Sequence, residues 1–157
     1  MSHHFVYQIR KSPIPQDEYI DEDSVWSGLV IEACADGIEE LSGEERAAAI
    51  QELERFTKMP IENDCVIING QSKVDILMRY YTHLQDCLRK AQQITLHEFI
   101  NDESYIGIEI RSAFSDKWGD LFYNEENYGQ LDTEQNFLRG TKPGDRWYVG
   151  AVFDYRG

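Results

Sequence analysis

Two things are scarce in this sequence, paired cysteines and positive charge. Its 3 cysteines, Cys34, Cys65 and Cys87, are odd in number and widely spaced, with no C-x-x-C. They lie in apolar surroundings, where a free cysteine behaves as a small hydrophobe. Lys and Arg total 15 against 29 Asp and Glu, a net charge of −14, which excludes a basic nucleic-acid binder. No apolar run reaches the roughly 20 residues needed to cross a bilayer. Met1 to Arg10 holds no basic segment followed by an apolar stretch, so no signal peptide is expected. Unpaired thiols and the missing export signal lead us to expect a cytoplasmic protein. The phosphate-cradling glycine motifs, the G-x-S-x-G elbow and the H-E-x-x-H helix are also missing. We therefore expect no catalytic residue, no cofactor and no metal.

What is present is acid, unevenly spread. Residues 16–64 hold 15 acids and 3 bases, whereas residues 65–157 hold 14 acids and 10 bases. The excess begins with Asp17, Glu18, Asp21, Glu22 and Asp23 and continues with Glu39, Glu40, Glu44 and Glu45. A field of this sign repels nucleic acid and membrane phosphates and speeds encounter with cationic surfaces. These nine acids are the candidate partner-binding set. The alternative is a solvated face that keeps the chain in solution.

The chain's 157 residues suit one domain, with no linker, repeat or low-complexity tract. Phe5, Tyr7 and Ile9 alternate with Val6, Gln8 and Arg10, predicting a strand that Pro13 and Pro15 end. Helical spacing from about Asp23 to Leu41 predicts a first helix. Ser42 and Glu45 form an S-x-x-E capping box for a second, with Ala49, Ile50, Leu53 and Phe56 on its buried face. Together they predict a helical hairpin with an acidic tip. Cys65 to Ile68 is apolar but too short to classify by period. From Ser72 to Ala91 a broad apolar stripe predicts a central core helix. Thr95 and Glu98 cap a short further helix. Ile106, Ile108 and Ile110 alternate as in a strand. Leu121 to Tyr123 forms a return strand after a turn at Asp116 to Gly119. Asn124 to Gln130 reads as a loop and Thr133 to Leu138 as a weak helix. Trp147, Val149, Ala151, Phe153 and Tyr155 alternate with Tyr148, Gly150 and Val152 in a last strand. The fold class expected is α+β: a helical N-terminal two-thirds packed on a small antiparallel sheet from the C-terminal third, joined by the N-terminal strand.

Chemistry is sparse. His83 and Cys87 share a helix face at i, i+4, with His97 and Glu98 downstream, but Cys87 also fits the apolar stripe. Cys34 lies on a predicted helix with nothing nearby to activate its thiol. Trp118, Phe122, Tyr123, Tyr128, Trp147, Tyr148 and Tyr155 crowd the C-terminal third as sheet core or as interface anchors. The function expected is that of an acidic cytoplasmic protein-binding protein. In its sharpest form it is an immunity protein that neutralises a basic nuclease toxin by covering its cationic active site; the general character of the sequence resembles small acidic immunity proteins. The alternatives are a nucleic-acid mimic that inhibits a DNA- or RNA-processing machine, and a small enzyme with a pocket built around His83, Cys87 and His97. The partner expected is a basic protein, with neither nucleic acid nor membrane.

Overall fold

The computed structural model describes residues 3–32, 36–101, 104–114 and 119–156. Cys34, Trp118 and most of the Asp116 to Gly119 turn fall outside them. The elements run β1 (His3–Arg10), α1 (Glu22–Glu32), β2 (Gly37–Leu41), α2 (Gly43–Thr57), β3 (Ile61–Glu62), β4 (Cys65–Ile67) and α3 (Gly70–Gln92). Then come α4 (Leu96–Ile100), α5 (Ile106–Phe114), β5 (Leu121–Asn124), β6 (Gln130–Thr133), α6 (Glu134–Arg139) and β7 (Arg146–Arg156).

The architecture is mixed α and β around a seven-stranded sheet. β7 is its hub. Along one edge β7 pairs with β1; along the other it pairs first with β4 and then with β2. β3 extends the sheet beyond β4, and β5 and β6 extend it beyond β1. Strands therefore occur throughout the chain, and the expected partition into N-terminal helices and a C-terminal sheet is only partly right. The sheet is also not purely antiparallel, because β1 and β5 run parallel. Parallel neighbours need a long crossover, and here residues 11–120 supply it.

The expected alternation of β7 fails at one point for a clear reason. Tyr7 pairs with Val152 and Ile9 with Val149, so Gly150 and Ala151 together oppose Gln8. This bulge inserts one residue and swaps the faces beyond it. Trp147, Val149 and Val152 pack under α2, α3 and α6 with Tyr7, Ile9, Leu53, Ile76, Phe122 and Phe137. Ala151, Phe153 and Tyr155 face the other way, onto Val25 and Leu29 of α1. As a consequence Asp154 lands on the α2 side.

Three elements correct the predicted ones. Residues 37–41 are strand β2, not helix, so the helical hairpin does not form and Glu39 and Glu40 point to opposite faces. Gly37 weakens a helix there, and the C-terminal half of β7 offers an edge to pair with. Residues 106–114 are helix α5, not a strand. Ile106, Ile110 and Ala113 also satisfy helical spacing, and packing against α3 decides between the two periods. Residues 130–133, predicted as the end of a loop and the start of a weak helix, form β6. The helix follows as α6, with Thr133 accepting a hydrogen bond from the Asn136 N–H.

The long helix α3 is not the central core helix predicted. Asn69 caps it through the Ser72 N–H, yet only Ile76 and Cys87 are buried along it. Phe56 of α2, expected in the core, is exposed and lies under the Arg79 guanidinium. Ser42 stands at the N-cap of α2 without a side-chain bond, so the capping box does not close there. Thr95 does cap α4: its hydroxyl accepts from the Glu98 N–H and donates to the Glu98 carboxylate.

Candidate functional site: an acidic cleft between the sheet and α2

At the His3 end of β1 the sheet runs past α2 and leaves an open cleft of 630 Å³. Its floor carries Phe5 of β1, Glu39 of β2, and Asp154 and Arg156 of β7. Its wall is α2, which presents Glu45, Ala48, Glu52 and Arg55. Spacings of three and four residues put Glu45, Ala48 and Glu52 on one helix face, above a sheet face left bare.

The floor sets two acids, Glu39 and Asp154, beside the base Arg156. Glu39 and Asp154 are direct cross-strand partners, a placement that costs stability for like charges. Asp154 accepts a hydrogen bond from His3 Nδ1 at 2.9 Å. Across the cleft, Arg55 holds the Glu52 carboxylate at 2.5 Å. Among the described residues neither Glu39 nor Glu45 has an ion-pair partner.

Beneath the cleft the Tyr7 hydroxyl donates to the Ala49 carbonyl at 2.9 Å. Burial pushes this phenol far above its ordinary range, with the Asp120 and Glu52 carboxylates adding to the effect, so it stays a donor. Beside it the Asp120 carboxylate accepts the Phe5 N–H at 2.9 Å. Burial raises the Asp120 pKa above the usual 3.8, while that N–H bond and His4 oppose the rise. A carboxyl whose folded pKa is raised favours folding while protonated, and that advantage is lost as pH rises through the folded value. Asp120→Asn keeps an acceptor for Phe5 and removes the charge. It is expected to match the native protein below pH 3.8 and to exceed it in stability at neutral pH. Denaturant midpoints at the two pH values check this; equal differences at both would contradict it.

Of the nine acids predicted as one set, the structure brings only Glu39 and Glu45 into this cleft. Glu44 is exposed on the first turn of α2 but does not line it. Glu40, one residue on from Glu39, faces the α1 side, where its N–H bonds to the Glu22 carboxylate at 3.2 Å. Asp21 caps α1: its carboxylate accepts both the N–H and the hydroxyl of Ser24, and these bonds lower its pKa. Glu18 pairs with Arg10 at 2.5 Å, and Asp17 and Asp23 face solvent. The set is thus divided between two sides of the sheet. The predicted set left out Glu52 and Asp154. Glu52 was legible as the residue seven after Glu45. Asp154 was legible as the lone carboxylate of a long apolar strand, but its face could not be read without the bulge.

The second candidate group lies between α3 and α5. Cys87 Sγ sits 3.7 Å from His83 Nε2 and 4.0 Å from the Glu109 carboxylate, which Lys90 also contacts at 3.3 Å. The Ser112 hydroxyl donates to the Glu109 carbonyl, which leaves its oxygen to accept from His83 at 3.2 Å. Cys87 is fully buried, so its thiol packs the helix pair. His97 of α4 instead bonds Asn101, the residue that ends that helix. Among the described residues no group of three or more His, Cys, Asp and Glu is placed to hold a metal ion.

Among the C-terminal aromatics, Phe122, Trp147 and Tyr155 are core and Tyr128 is fully exposed. No helix among the described residues is long and apolar enough to cross a membrane. No protein-family model, no curated protein and no solved structure matches this chain.

Proposed function

We propose that this chain is an acidic, cytoplasmic protein-binding protein that inhibits a basic partner. In its sharpest form it is an immunity protein that covers the cationic active site of a nuclease toxin. The observation that carries this reading is the opposition of Glu39 and Asp154 on the cleft floor, facing Glu45 on the wall. Like charges set opposite each other on adjacent strands disfavour one another, and at Asp154 this is relieved in part by His3. A guanidinium or ammonium group entering between them would remove that repulsion and form charge-assisted hydrogen bonds. A nuclease gathers such groups to hold phosphates, so a surface that covers its active site must present carboxylates. The excess negative charge elsewhere speeds the encounter. The nucleic-acid mimic fits less well. Phosphate mimicry needs carboxylates along one extended surface, and these are divided by the sheet.

The test is capture from lysate of the native host, at low and high salt, followed by a nuclease assay of what is retained. The expected result is one strongly basic protein, weakened as salt rises, whose nuclease activity this chain suppresses. Retention of nothing at low salt, or of a protein whose activity the chain leaves untouched, would overturn the reading.

A further inference from the structure

Away from the cleft, α3 packs against three other helices, α2, α5 and α6. Beside these contacts lies a pocket of 470 Å³, inside the range of roughly 300–1,000 Å³ that small-molecule sites occupy. All four helices line it: Phe56 from α2, Arg79, Tyr80 and His83 from α3, Ser112 from α5 and Glu134 from α6. It therefore holds charges of both signs. Glu134 is the buried one, at 8% exposure, and it also borders the core residues Leu53 and Phe137. Its carboxylate accepts the Tyr80 hydroxyl at 3.0 Å. A carboxylate has about four acceptor positions, so it can take a further donor alongside. Arg79 is exposed, and its guanidinium lies 4.8 Å from the centre of the Phe56 ring. Among the described residues Arg79 has no ion-pair partner, in a chain that carries 29 acids. His83 is already engaged, donating to the Ser112 oxygen at 3.2 Å. That leaves Arg79 as the pocket's donor for an anion.

We infer that this pocket binds a free α-amino acid, its carboxylate on Arg79 and its ammonium on Glu134. The guanidinium offers a planar fork that matches a carboxylate with two parallel bonds. The ammonium adds a charge-assisted bond to an acid that Tyr80 already orients. A zwitterion suits the pocket because it brings the opposite charge to each of these groups. A phosphate would satisfy Arg79 but would set further negative charge near Glu134. A simple amine would reach Glu134 and leave the guanidinium unmatched. The Phe56 ring supplies an apolar wall for the ligand's side chain. None of these six residues lines the acidic cleft, so the inference stands apart from the role of that cleft.

The test is isothermal titration calorimetry of the full chain with each of the common L-amino acids, with inorganic phosphate, and with the N-acetyl and amide derivatives of any amino acid that binds. The expected result is saturable binding of at least one amino acid, one molecule per chain. Blocking either end of it is expected to weaken binding by about tenfold or more, the loss of one charge-assisted bond. Arg79→Gln is expected to weaken the free amino acid by a similar factor and to leave the amide, which no longer needs the guanidinium, as it was. Glu134→Gln keeps an acceptor for Tyr80 and is expected to do the same for the N-acetyl form. Should that buried substitution prevent folding, seen by circular dichroism, the N-acetyl derivative on the native chain decides the role of Glu134. Binding of no amino acid overturns the inference. So does equal binding of a blocked derivative, undiminished binding by Arg79→Gln, or a phosphate that binds more tightly than every amino acid and is lost in Arg79→Gln.

Discussion

Arg46→Ala is expected to destabilise the fold by about 3 kcal/mol, because it strips two strand carbonyls of their donors. Along one edge β7 is paired by β4 as far as Tyr148 and by β2 from Val152 onward. The carbonyls of Val149 and Gly150 fall in the gap. Arg46 of α2 fills it: its guanidinium donates to Val149 at 3.2 Å and to Gly150 at 2.8 Å, and pairs with Asp64 at 3.1 Å. It also lies over the Tyr19 ring at 5.4 Å. Arginine supplies several donors in a fixed fork, which lysine does not. Arg46→Lys is therefore expected to recover less than half of the loss. At about 2–4 °C per kcal/mol for a chain of this size, the alanine variant should melt about 6–12 °C lower. A shift under 2 °C would mean that water replaces the guanidinium at little cost.

Gln8→Leu is expected to have an effect of similar size on the opposite edge of the same strand. Gln8 is fully buried and stands in for the ladder at the bulge. Its side-chain oxygen accepts the N–H groups of Ala151 at 2.9 Å and Ile20 at 3.2 Å, and its amide donates to the Glu18 carbonyl at 3.1 Å. Leucine has nearly the same volume but leaves those groups buried and unpaired, at about 1–3 kcal/mol each. The total expected is about 3–5 kcal/mol. Gly150 belongs to the same device, since a Cβ there would stand 2.5 Å from the Gln8 side-chain oxygen. Chemical denaturation of both variants checks this; a loss under 1 kcal/mol would show that the bulge holds without its glutamine.

These two residues also mark where the sequence stopped being legible. β1 and β5 were readable from alternation or from compact apolar runs, and β7 from its long alternation. Which face each residue of β7 takes was not readable. A bulge shifts the phase by one residue, and nothing in Val149 to Val152 announces it except a glycine. The strand at 37–41 was hidden for another reason. Gly37, Ile38, Glu39, Glu40 and Leu41 have little β propensity of their own and become a strand because the edge of β7 is there to pair with. For α5 the three isoleucines fit both periods, and the packing of α3 chose. The site followed the fold. Charge counting found the acidic third of the chain, and with it Glu39 and Glu45. It also gathered Asp17, Glu18, Asp21, Glu22, Asp23, Glu40 and Glu44, which the sheet and the helix caps send elsewhere. Electrostatics summed along a sequence carries no direction, so the cleft became visible only once the strands fixed which acids share a face.

The central claim is that a cationic partner is held by the cleft acids and not merely drawn by net charge. The most direct test compares two double variants of equal net charge as capture baits. Glu39→Lys/Glu45→Lys reverses the cleft, and Asp17→Lys/Asp23→Lys reverses two solvent-facing acids on the other side of the sheet. The account predicts that the second variant retains the basic partner at physiological salt, while the first loses it by about 100-fold or more in affinity. Equal loss in both variants would contradict it, because the interaction would then follow total charge and the cleft would be only a notch in an acidic surface.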